Sequence, residues 1–151
     1  MPTIAEENKA GVRRFWDAMH KRQWDAFDEL LAPDVVRHCQ ATPEANVRSC
    51  EQYKEWFRQD AAVFPDSMQT LTHLVAEGDF VAVWATYAGT QRGQLGPFPP
   101  SGKKVQVDFG AVFRMVQGKI AEWWVTWDNA TILAQLGHLP ASPSRAGERQ
   151  A

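Results

Sequence analysis

The hydrophobic residues of this chain change period at Pro65-Asp66-Ser67. Before that turn they recur at helical spacing; after it they alternate, as strands do. Within Ile4–Arg22, the residues Val12, Phe15, Trp16 and Met19 form one helical stripe, and Thr3 stands three residues before Glu6, a capping-box spacing. Trp24, Phe27, Leu30 and Leu31 repeat the stripe until Pro33 stops it. Val35–His38 reads as a short β-like run and Gln40–Arg48 as a polar loop. Ser49, with Gln52 at the capping-box position, predicts a helix to about Phe64; Tyr53, Trp56, Phe57, Asp60 and Phe64 lie near one of its faces.

Beyond the turn, Met68–Ala76 and Phe80–Thr90 alternate as strands joined through Glu77-Gly78-Asp79. Gly89 to Gly102 is a Gly/Pro-rich loop. Val105–Val116 and Lys119–Asp128 form a second hairpin about Gln117-Gly118, and Asn129–Leu136 is a closing helix ended by Gly137. Helices followed by an antiparallel meander predict an α+β fold. The helices pack across the concave face of a curved sheet, and strong curling leaves a cone-shaped cavity. Residues 1–139 are expected to form a single domain and 140–151 a polar, disordered tail.

The 151 residues carry a formal net charge of −2, with Lys and Arg scattered. That argues against a dedicated nucleic-acid or acidic-membrane binder, which needs a basic footprint. No signal pattern or membrane-length apolar run stands out, so a cytoplasmic, soluble protein is expected. Cys39 and Cys50 make neither a disulfide framework nor a Cys-x-x-Cys pair, and no two histidines have ligand spacing, so no metal is implied. The chain is rich in aromatic residues, with seven Trp, eight Phe and two Tyr. That suits either a large aromatic core or a pocket wall for a flat organic ligand.

On the last strand, alternation groups Ile120, Glu122, Trp124, Thr126 and Asp128 on one face; Ala121, Trp123, Val125 and Trp127 take the other. The first face is mixed polar and apolar, as a pocket wall would be. The second is apolar, as a packing or subunit interface would be. A three-residue loop with Gly118 last, in the left-handed region, places Asp108, Gly110, Val112 and Arg114 on the face of Asp128. Desolvation raises a carboxylate's pKa and a nearby Arg lowers it, a balance that can leave Asp128 a usable base. Asp128 also stands where a helix N-cap would, a role that Asn129 could fill instead. His38 follows an apolar pair and can donate or accept near pH 7, although a lone His is more often a surface or core residue. His73 alternates with Leu71 and Val75, which suits a core position or the cavity wall.

Four landmarks then combine: Glu77-Gly78-Asp79; Gly89-Thr90 followed by Gly93 and Pro99-Pro100-x-Gly102; Gly118-Lys119-Ile120-x-Glu122; and Trp124 leading to Asp128 and Gln135-Leu136-Gly137. With these the chain resembles, over nearly its whole length, the SnoaL-like polyketide cyclase (ester cyclase) family of the nuclear transport factor 2-like superfamily. The resemblance implies a cone of helices on a curved antiparallel sheet, usually dimeric or higher. It implies that Asp128 is the acid/base of a cofactor-independent cyclisation of an aromatic or polyketide-like carbonyl compound. Arg114 or His38 would stabilise developing negative charge. Trp16, Tyr53, Phe57, Trp84 and Trp124 would hold a small hydrophobic or aromatic ligand, with His73, Tyr87, Gln91 and Asp108 beside it. Gln91 and Trp123 stand where the family often has His, and neither an amide nor an indole transfers protons near pH 7. An epoxide-hydrolase-like or lyase activity, or a non-catalytic ligand-binding or dimerisation module, would suit the same pocket.

Overall fold

The computed structural model describes residues 1–45 and 47–140. Helix α1, Ile4–His20, starts at a complete capping box: the Glu6 N–H donates to Thr3 Oγ1 at 3.1 Å, and the Thr3 N–H donates to Glu6 Oε2 at 2.8 Å. Its buried stripe includes Val12, Phe15, Trp16 and Met19. The second apolar stripe folds differently from its helical expectation. A 3-10 turn at Trp24–Ala26 runs into a one-turn helix, α2, Phe27–Leu30, and Leu31 already belongs to strand β1, Leu31–Cys39. Leu31 pairs with Ile120 in the sheet, so strand pairing takes it from the helix. Pro33 is tolerated because β1 is an edge strand and its register shifts between Leu31 and Val36.

Helix α3, Cys50–Val63, is capped by Ser49, whose Oγ accepts the Gln52 N–H at 3.1 Å. The strands follow as β2 (Met68–Glu77), β3 (Phe80–Thr90), β4 (Lys104–Val116) and β5 (Lys119–Thr126), and helix α4, Asn129–Gln135, closes the described chain. The sheet order is β1-β5-β4-β3-β2. Strands β2 to β5 form the expected antiparallel meander, but β1 joins β5 in parallel. The architecture is α+β, with the N-terminal helices on a curved, mostly antiparallel sheet.

The β4–β5 turn has two residues rather than the expected three: Gln117 (φ 51°) joins Gly118 (φ 79°) in the left-handed region, the pair of positive φ values that a tight I′ hairpin needs. A bulge between Arg114 and Met115 then shifts the register by one. Beyond it Gly110 faces Thr126, Val112 faces Trp124 and Arg114 faces Glu122, so these residues share a face. That face lies outside. The opposite face of β4 and β5 carries the buried Phe109, Ala111, Phe113, Trp123 and Val125, and the helices pack on it.

Phe15 sits at the centre of this packing. Its ring lies 5.6 Å from that of Phe27, 5.7 Å from Tyr53, 5.8 Å from Trp123 and 6.2 Å from Phe113. At the other end, Leu136 is buried with Phe64, Val105 and Val107, and the Gln135 amide bonds the Gln106 backbone at both its N–H (2.8 Å) and its C=O (3.0 Å). Pro140 is the last described residue, so all but that first residue of the expected 140–151 tail lies outside the described residues. Among the described residues no helix is long and apolar enough to cross a membrane. Cys39 and Cys50 are both free thiols.

Replacing Phe15 with Ala removes the ring shared by both helices and two strands. The expected cost is about 3–5 kcal/mol of unfolding free energy, read as a lower urea midpoint with an unchanged slope.

Candidate functional site

The concave face of the sheet and the helices enclose a cavity of about 560 Å³, a size typical of small-molecule sites. The sheet wall is built by Tyr87, Phe109, Phe113, Trp123, Val125 and Trp127; the helix wall by Phe15, Trp16 and Met19 of α1 and Tyr53, Trp56 and Asp60 of α3. Thr42, Gly93, Gln94, Leu95 and Asn129 complete the lining from the loops.

Three of the residues expected at the site are brought together here: Trp16, Tyr53 and Tyr87. Phe57 is buried in the core behind the wall. The others lie elsewhere, and one cause covers most of them. The mixed face of β4 and β5 points to solvent, and the apolar face points to the cavity. Trp84 and Trp124 are therefore exposed, at 47% and 40%. Asp108 is exposed and accepts the Thr86 hydroxyl at 2.7 Å. Arg114 donates from Nε to Glu122 Oε1 at 3.2 Å, and His38 Nε2 meets Glu122 Oε2 at 2.6 Å while its ring stacks on Trp124. These two bonds hold the Glu122 carboxyl below its usual range, His38 being the larger influence. His73 is exposed on β2, neither in the core nor at the cavity.

Gln91 is fully buried but faces away from the cavity. Its Nε2 donates to the Gly93 and Pro99 carbonyls at 3.0 and 3.1 Å, and its Oε1 accepts the Ser101 N–H at 3.3 Å. It is the fastening of the Gly/Pro-rich loop, whose Gly93–Gly96 stretch lines the cavity.

Asp128 does not enter the cavity either. It is the exposed N-cap of α4, with Oδ1 accepting the Thr131 N–H at 3.2 Å and Oδ2 accepting the Thr131 hydroxyl at 2.7 Å. Those bonds hold its carboxyl below the ordinary range, the hydroxyl first. Asn129, the other candidate for the cap, instead accepts the Trp127 Nε1–H at 2.7 Å and donates to the Ala41 carbonyl at 2.6 Å.

The carboxyl that does line the cavity is Asp60, one helical turn beyond Trp56. Tyr87 donates its hydroxyl to Asp60 Oδ2 at 3.1 Å. Burial pushes the Asp60 pKa up to about 6, opposed by the Tyr87 bond and by the charges of Arg22 and Arg37. Burial and the adjacent Asp60 drive the Tyr87 hydroxyl far above its usual range, so it stays a donor. The sequence signal for Asp60 was present: an acid on the apolar stripe of a helix, where a solvated face would be expected to carry it.

Three further lining residues hold buried polar atoms without a partner: Trp16 Nε1, Arg37 Nη1 and Thr42 Oγ1. Such atoms are costly to bury unless something bonds them. Three of them around one cavity suit an occupant rich in oxygen. Among the described residues, no three His, Cys, Asp or Glu side chains cluster as a metal site would require.

Comparison with known proteins agrees with this fold. Among curated proteins, none matches. Among solved structures, the chain is similar to IdmH, a candidate polyketide cyclase from Streptomyces antibioticus, at 29% identity and TM-score 0.77, over 86% of this chain and 98% of that one. It is similar to TsrD from Streptomyces laurentii at 28% identity and TM-score 0.75, over 86% and 97%. It is also similar to AclR, a candidate hydroxylase from Streptomyces galilaeus, at 25% identity and TM-score 0.79, over 95% and 88%. Residues 10–136 match the family profile described as SnoaL-like polyketide cyclase. With helices and sheet closing on an aromatic cavity, and with that match spanning most of its length, the chain belongs to the SnoaL-like polyketide cyclase family.

Proposed function

We propose that the protein is an acid/base enzyme acting on an aromatic or polyketide-like carbonyl compound, and that Asp60 moves the proton. The observation that carries this reading is a carboxyl in the wall of an apolar cavity with its pKa pushed up to about 6. At neutral pH such a group is largely ionised, yet more basic than a solvated carboxylate, which is the balance a general base needs. In the step that fits best, Asp60 takes a proton from a carbon activated by neighbouring carbonyls. The enolate then attacks a second carbonyl of the same molecule, and the proton returns to the new alkoxide. A delocalised substrate spreads the enolate charge over its own carbonyls, so the step itself calls on no cofactor.

The remaining parts have supporting roles. Tyr87 holds the Asp60 carboxyl in one orientation. The rings of Trp16, Tyr53, Trp56 and Trp127 supply flat walls, and the Trp16 Nε1–H offers a donor to a ligand oxygen. Enclosure excludes water and holds one reacting conformer, which is the main contribution available to an intramolecular reaction.

Self-association is a second part of this reading. The outer face presents Phe80, Trp84, Val112 and Trp124, each more than a third exposed, beside the His38–Glu122–Arg114 cluster with charge of both signs. Such a patch can meet its own copy about a twofold axis, apolar on apolar and acid on base. Replacing Trp84 and Trp124 together with Lys is expected to halve the mass in light scattering; an unchanged mass would assign the contact elsewhere.

Asp60→Asn is expected to lower kcat for cyclisation of an aryl triketone by about 10²–10⁴-fold, with the fold intact. Asp128→Ala is expected to leave kcat within about 2-fold while lowering Tm through the lost cap. In the wild type, kcat/KM rises with pH and levels off above about 6 as Asp60 ionises. The stability linkage runs the opposite way. The native Asp60 binds its proton more tightly than the unfolded chain does, so stability falls as pH rises from about 3.8 to about 6. In Asp60→Asn that fall should be smaller, seen as a Tm difference that shifts in the variant's favour across that window and is constant above it.

A further inference from the structure

Strand β1 directs a guanidinium into the cavity. Alternation along Val35-Val36-Arg37-His38 turns Val35 and Arg37 inward and leaves His38 exposed. Arg37 pairs with Trp123, which also faces inward, and only 6% of Arg37 remains exposed. Its guanidinium carbon lies 4.1 Å from the centre of the Trp56 ring and 5.6 Å from that of Trp127. Indole faces attract the charge, but they offer no lone pair to the N–H groups at the edge of the guanidinium. Nη1 is buried with no partner.

No carboxylate of the described residues forms an ion pair with Arg37. Asp60, the one acidic residue in the cavity lining, is bonded by Tyr87 and feels the charge of Arg22 as well as that of Arg37. Burial lowers the Arg37 pKa, yet a guanidinium remains protonated in proteins. A permanent cation, desolvated, with the Cys39 side chain as a partner but with Nη1 short of an acceptor, thus lines the cavity. Leaving such a charge unpaired is expensive, and an anion bound in its plane relieves that cost with two parallel N–H···O bonds. Thr42, whose Oγ1 is also buried without a partner, lines the same cavity from the loop after β1 and gives an oxygen-rich group a further contact.

We propose that Arg37 is the anion subsite of this cavity and that its natural ligand is a carboxylic acid, an aromatic or polyketide-like compound anchored through a free carboxylate. The inference rests on the reading of the cavity as the ligand site, and it does not require Asp60 to be the base. The ring system would extend along the cavity from beside Trp56 and Trp127 toward Asp60, with the carboxylate fixing which end enters first. An Arg37 whose spare N–H groups were already met by protein acceptors would give no preference for a charged ligand.

Calorimetric titration with 2-naphthoate and 2-naphthamide separates these cases, since the two differ chiefly in charge. The full chain is expected to bind the naphthoate at least tenfold more tightly. Arg37→Gln should bring the two within about 2-fold, chiefly by weakening the naphthoate, and Arg37→Lys should keep part of the preference. Equal affinities in the wild type, or a preference that survives Arg37→Gln, would overturn the subsite. The wild-type comparison holds its force even if a variant fails to fold. Asp60→Asn should retain the preference, so normal turnover in that variant with the preference intact would sink the assignment of the base while leaving the anion subsite standing.

Discussion

Phe15 presses on the rings of Phe27, Tyr53, Phe113 and Trp123, so that one side chain ties α1 to α2, α3, β4 and β5. Aromatic rings meeting edge-to-face and tilted fill volume and favour particular angles. The cluster therefore sets how far the helices stand from the sheet near its centre. Fastening the helices there, while Leu136 and Phe64 seal a second small core against β4, leaves the space between as a cavity.

The chemistry follows from that enclosure. A cavity walled by indole, phenyl and aliphatic groups solvates charge poorly, so every polar group placed in it is altered. Asp60 becomes a stronger base, Tyr87 a more reluctant acid, and Arg37 a cation with unused N–H groups. Asp128, exposed outside the cavity, goes the other way: its bonds to Thr131 hold its carboxyl below the usual range. The cavity thus differentiates two aspartates that are alike in chemical type.

Much of the fold could be read from the sequence because short-range signals agree there. Thr3 and Ser49 do cap their helices, Gly118 does take a positive φ, and Gly110, Val112 and Arg114 do share a face with Thr126, Trp124 and Glu122. The site was less legible for a specific reason. A period of two sorts residues into two sets, but it does not say which set the sheet curls around. The polar mixture of Glu122, Trp124 and Thr126 suggested a pocket wall. In the structure Trp123 and Val125 take the inside, because a large aromatic surface is better buried against the helices than left in water. That one inversion moved Trp84, Trp124, Asp108 and Arg114 out of the site together. Arg37 escaped notice because β1 pairs in parallel with β5 across a long connection, and no local pattern announces such a partner.

The proposed chemistry depends on the concave, apolar face being the working side, with Asp60 desolvated within it. Carbon-13 NMR titration of the aspartate carboxyl groups tests this directly, with Asp60→Asn supplying the assignment. The Asp60 signal is predicted to titrate near pH 6, well above that of Asp128. An Asp60 carboxyl that titrates near the ordinary 3.8 would contradict it.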